Sequence, residues 1–216
     1  MGLFDFLKPK SEPPGGLTEK DPRVRRMLLY GASEMVGQQA DNLRAVGRKA
    51  DADKVIAEYL KKVFQEFRNE PQNPRHLSLL TDVALRLGAP DAGKKTLESV
   101  IQENGQLCLD LTVVYTNLGR ICHQVTRDVK LSMHELWCYE MAIQAQPPPG
   151  CKFPATRQQK AKAHHFAHFV ARRIANFNPE DSHWGIAEAH IKKAKELVPE
   201  VNWDDQAQVL KFMQTE

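Results

Sequence analysis

Residues 107–126, LCLDLTVVYTNLGRICHQVT, decide the fold class. Leu107, Leu111, Val114, Tyr115, Leu118, Ile121, Cys122 and Val125 recur at steps of three and four. That spacing puts them on one face of a helix with a 3.6-residue period. Working outward, the same reading predicts helices over 23–46, 50–68, 74–87, 91–103, 131–146, 157–177, 181–198 and 203–214. Breakers separate them: NEPQNP at 69–74, GAP at 88–90, ENG at 103–105 and QPPPGCKFP at 146–154. Asn202 is placed as the N-cap of the last helix, with Asp204 and Asp205 favourable beside its dipole. No hairpin dipeptide lies between alternating runs. The expectation is an all-α protein.

Of the 216 residues, 42% are apolar and 26% charged, proportions that argue against wholesale disorder. The net charge of +3 is mild and does not by itself imply a nucleic-acid partner. No apolar run approaches the roughly 20 residues of a membrane helix. The apolar tip is too short for a signal peptide and carries Asp5, and Phe6 stands where a myristoylation motif wants Ser or Thr. Cys108, Cys122, Cys138 and Cys151 form no C-x-x-C pair, so reduced thiols in a cytoplasmic protein are expected.

The chain opens MGLFDFLKPKSEPPGG. Residues 1–8 read as an apolar docking segment carried by Leu3, Phe4, Phe6 and Leu7, and 9–22 as a flexible linker. The segment is too short to hold a helix alone, so it would order against a partner, a second copy of the chain or the chain itself. Residues 23–216 read as one helical domain.

Within that domain, YEMAIQAQP (139–147) and IKKAKELVP (191–199) share an order: an apolar residue, Ala three further on, then Pro five after that. LLTDVALRLGAPDAGKKTLESVIQENG (79–105) runs helix, Gly turn, helix. These residues resemble the tetratricopeptide repeat family, whose unit is a pair of antiparallel helices with small residues at fixed crossings. Ala187, Ile191, Ala194 and Pro199 match the second helix of the unit, as do Tyr139, Ala142 and Pro147. Leu118 and Gly119 match the Leu-Gly step of the first helix, and Ala84 and Gly88 the small residue and turn glycine upstream. The Ala142 and Ala194 units stand further apart than the family's period of about 34 residues. Gly93 and Glu135 stand where Ala is expected. The resemblance implies stacked helical hairpins forming a short α-solenoid, with 203–214 as a C-terminal capping helix; the rival architecture is an irregular helical bundle.

Charge along 157–177 is the main anomaly. From Met141 to Pro179 there is no acid, yet Lys152, Arg157, Lys160, Lys162, Arg172 and Arg173 fall there. Lys160, His164, His168 and Arg172 follow at four-residue steps, Asn176 continuing the row. Phe166, Phe169, Val170, Ile174 and Phe177 read as the opposite, apolar face. The row predicts either an anion-binding surface for an acidic or C-terminal peptide, or an ordinary solvated basic face. The resemblance adds that first-helix basic and Asn side chains line a peptide groove in this family. Counting from Ala194 places Arg172 and Asn176 there, and counting from Gly119 places Asn117 and Arg120 there.

Two pairs invite a metal: His164 with His168, and His134 with Cys138, each one turn apart. HELWC (134–138) is similar to H-E-x-x-H with Cys for the second His, but no downstream spacing supplies a third ligand, so no metal or other cofactor is expected. Phosphate-loop, dinucleotide and nucleophile-elbow motifs do not occur. RVRR at 23–26 is diluted by Glu19, Asp21 and Glu34, and Trp137, Trp184 and Trp203 sit at apolar positions that predict packing in the core. The expected function is a non-enzymatic adaptor or scaffold within a larger assembly. The rivals are a metal-dependent helical enzyme built on His134, Cys138, His164 and His168, and a basic nucleic-acid-binding domain.

Overall fold

A computed structural model describes residues 22–69, 73–125, 128–177 and 182–214. The apolar tip and nearly all of the linker lie outside the described residues. Among those described, every regular element is a helix: α1 (Pro22–Ala45), α2 (Lys49–Asn69), α3 (Pro74–Arg86), α4 (Pro90–Gln102), α5 (Asn104–Leu107), α6 (Leu111–Val125), α7 (Val129–Gln144), α8 (Arg157–Ala175), α9 (His183–Leu197) and α10 (Gln206–Gln214). No helix among the described residues is long and apolar enough to cross a membrane. The span 23–216 divides into two compact units, with the boundary inside α4 after Gly93.

The first unit holds α1, α2, α3 and the opening turn of α4. Pro starts α1, α3 and α4, where its missing N–H and fixed φ cost nothing. α3 ends on Gly88 at φ 64°, with the Gly88 N–H donating to Leu85 and the Ala89 N–H to Ala84, a left-handed cap that a side chain would strain. Val36 and Ala40 of α1, Ile56, Tyr59 and Val63 of α2, Leu80 and Val83 of α3, and Leu87 just after α3 close one apolar core. Tyr59 is wholly buried, and its hydroxyl donates to the Leu29 carbonyl. Burial pushes that phenol up to about 12.

The second unit is built on two helical hairpins, α6–α7 and α8–α9, each pair packed along its length. α8 also packs on α7 and touches α6, so the hairpins stack in repeat-like order. At the α6–α7 crossing, a Cβ on Gly119 would lie 2.6 Å from the Tyr139 ring. Glycine there is what lets Tyr139, itself 1% exposed and stacked on Phe166 of α8 at 5.2 Å, fill the junction of three helices. α10 packs its Phe212 with Ala161 and Val198, Trp203 and Leu197 closing around them, and so covers the end of the second hairpin.

Four details differ from the sequence reading. The run from 107 is not one helix: α5 ends at Leu107, Cys108 turns left-handed at φ 52°, and α6 begins only at Leu111. The break is held by side chains, since Asn104 accepts from the Leu109 N–H at 2.8 Å and Asp110 accepts from Thr112 and Ala155 N–H groups. α10 starts at Gln206, capped by Asp205, which accepts from the Ala207 and Gln208 N–H groups; Asn202 serves the turn before it. Trp137 and Trp184 are 44% and 37% exposed, whereas Trp203 packs into the α10 cluster, its Nε1 donating to the Val198 carbonyl. Finally, the buried side of α8 is set by its alanines. Ala163, Ala167, Ala171 and Ala175 are fully buried, which turns Phe169 and Phe177 outward. A helix flanked by neighbours on both sides needs small residues for close approach, and that requirement outweighs the pull of two large rings.

Candidate functional site

α8 carries the residues of interest. Thr156 and Gln159 form a reciprocal capping box at its start, and the buried alanines set its rotation against α7 and α9. In that rotation the expected cationic row does not stand as one exposed strip. Lys160 donates to the Ala145 carbonyl at 3.2 Å. His164 is buried, its Nδ1 3.1 Å from Nδ1 of His190 on α9. His168 Nδ1 lies 2.8 Å from the Ala187 carbonyl. Burial, reinforced by His190, Lys193 and Lys160, pulls His164 down to about 4. Burial likewise lowers His168 and His190. These imidazoles are therefore uncharged at neutral pH and belong to the α8–α9 packing rather than to an anion surface.

The outward face of α8 carries Phe169 and Arg172, and Asn176 and Phe177 continue it just past the end of the helix. Phe169 is 54% and Phe177 60% exposed. The Arg172 guanidinium sits 5.9 Å over the Trp184 ring of α9 and makes no ion pair among the described residues. Its neighbour Arg173 turns the other way. It donates to Ser132 at 3.2 Å and makes a very close ion pair with Glu135 of α7, a carboxylate only 1% exposed. His123 of α6 completes this cluster, 3.0 Å from the other Glu135 oxygen. A buried carboxylate needs such partners, because removing one leaves an uncompensated charge. Both Glu135 oxygens are thus engaged, so the residue is not held as a free base beside His134 and Cys138.

Of the α6 candidates, Asn117 is buried, its amide donating to Val113 and its oxygen accepting from Arg120 at 3.0 Å. Arg120 is half-buried through that contact. The structure thus brings Arg172 and Asn176 together at the surface and ties Asn117, Lys160, His164 and His168 into internal contacts. Sequence reasoning missed the outward placing of Phe169, Phe177 and Trp184. The legible signal was the alanine ladder 163–167–171–175, which marks the buried side of α8 more surely than ring size does. Glu135, standing where the resemblance wanted Ala, was the sign of the buried pair with Arg173.

The two metal-type pairs also part ways. His164 and His168 use their ring nitrogens on α9, whereas His134 and Cys138 of α7 meet Cys122 of α6, the three donor atoms lying within 4.8 Å of one another. Arg25 and Arg26 enter internal contacts as well, Arg25 with Glu66 at 3.1 Å and Arg26 with His76 at 3.3 Å.

No family model matches the chain, and comparison with curated proteins and with solved structures finds no match.

Proposed function

We propose that the chain is a non-enzymatic adaptor of the cytoplasm that binds a partner segment on the outward face of α8. The observation that carries this reading is the grouping of Phe169, Arg172, Asn176, Phe177 and Trp184. Two exposed phenylalanines, a guanidinium held over an indole and a side-chain amide make a surface for a peptide with a carboxylate beside an aromatic or aliphatic residue. A guanidinium stacked on an aromatic face keeps its donors free to grip a carboxylate while losing little rotamer freedom. Four cysteines that form no disulfide among the described residues favour a reducing compartment. The apolar tip Leu3, Phe4, Phe6 and Leu7 would supply a second, separate contact, with the linker setting its reach.

The test is selection of displayed peptides on the immobilised full-length chain, repeated with Arg172→Glu. The expected outcome is enrichment of peptides that pair a side-chain or terminal carboxylate with an apolar residue, lost in the variant while its helical circular dichroism is unchanged. No enrichment, or enrichment indifferent to Arg172→Glu, overturns the reading.

A further inference from the structure

We propose that Cys122, His134 and Cys138 form a binding site for one thiophilic divalent cation, zinc being the best fit, with the fourth coordination place left to water or a partner side chain. The sequence offered only the pair on α7, and α6 supplies the third donor. His134 and Cys138 are one turn apart on the same face of α7, and the α6–α7 crossing brings Cys122 alongside, all three donor atoms within 4.8 Å. Donors around a tetrahedral zinc stand roughly 3.3–3.8 Å apart for bonds of about 2.0–2.3 Å, so a modest contraction seats the ion.

Other features fit this assignment. Two sulfurs and an imidazole are a donor set for zinc rather than for calcium or magnesium, which take oxygen. The Cys122 and Cys138 thiols are hydrogen-bonded to each other and buried, while His134 is exposed. The site therefore has a dry sulfur floor and a solvent-reachable rim through which an ion can enter. The His134 ring stacks on Trp137 at 5.5 Å with 13° between planes, which restrains its rotation before any metal arrives. The crossing that aligns the donors is the one Gly119 makes possible. Binding would clamp α6 to α7 and add to the stability of the hairpin. The assignment is independent of peptide binding, because its ligands lie on α6 and α7 and the peptide face lies on α8.

The test titrates cobalt(II) into the reduced, metal-free full-length chain. One equivalent is expected to give the visible bands of tetrahedral cobalt with a thiolate-to-cobalt charge-transfer band, and zinc should bleach both. Cys138→Ser, which leaves one thiolate of two, should remove about half of the charge-transfer band. Because that thiol is buried and its loss can unfold the chain, His134→Ala is the deciding variant: the residue is exposed, and its loss should weaken cobalt binding at least about 100-fold, more than an outer-sphere change does. A Cys108→Ser, Cys151→Ser double variant should bind as the parent does. The proposal is overturned if no cobalt spectrum develops, if His134→Ala binds as tightly as the parent, or if Cys122 and Cys138 close into a disulfide in the presence of excess zinc.

Discussion

Gly119 shows how much one residue decides here. In an isolated helix, replacing it with Ala would favour α6 by about 1 kcal/mol. In this fold the added methyl would meet the Tyr139 ring at 2.6 Å, and that ring, stacked on Phe166, has nowhere to retreat. The clash should win, with Gly119→Ala destabilising the protein by about 1–3 kcal/mol in urea unfolding; a stabilised variant would mean that Tyr139 swings clear. Glu135 is the complementary case. Its spacing on α7 said only that a carboxylate stands at a crossing position, and Arg173 and His123 became its partners through the stacking of α6, α7 and α8.

At the scale of the element, α8 is the helix whose reading changed most. Periodicity placed it correctly, but its rotation depends on which neighbours claim which side. Two of its buried histidines give that packing a pH signature. Burial lowers His164 and His165 from the usual 6.5 to about 4, and His165 Nδ1 has no hydrogen-bond partner among the described residues. His164 faces His190, Lys193, Lys160 and Glu196, and His165 faces His168. The unfolded chain takes up these protons first, so the contribution of both groups to stability is whole above about pH 6.5 and is lost as pH falls toward 4. Urea midpoints should therefore fall between about pH 7 and 5, above the range in which carboxylates titrate. His165→Leu should shallow that fall and raise stability at neutral pH by about 1 kcal/mol, because a buried unpaired nitrogen is removed. A parent whose midpoint is flat across that window would show that these imidazoles protonate without leaving their places.

The whole molecule divides into two compact units, a division not legible in the sequence because helical periodicity runs unbroken through α4. Native-state hydrogen exchange can test whether the units are also units of stability. Gly119→Ala should speed exchange of the slowest amides in α6 through α9 while leaving those in α1 through α3 protected. Uniform acceleration would show that the two units open as one. The same scale explains why pattern reading found His134 and Cys138 without Cys122. Cys122 lies on α6 and His134 on α7, and no fixed spacing encodes a donor delivered by a helix crossing.

That the protein is helical, and where nearly every helix begins and ends, is written in short stretches of the chain. Those properties are local: they follow from the 3.6-residue period, from Pro and Gly at chain turns, and from caps a few residues away. Which side of each helix is covered depends on packing between helices. Phe169 faces outward because α7 and α9 compete for the alanine side of α8, His164 loses its charge because α9 buries it, and Cys122 joins His134 and Cys138 because α6 crosses α7 at Gly119. Each outcome turns on contacts between residues distant in the chain, whose energies no single stretch of sequence contains.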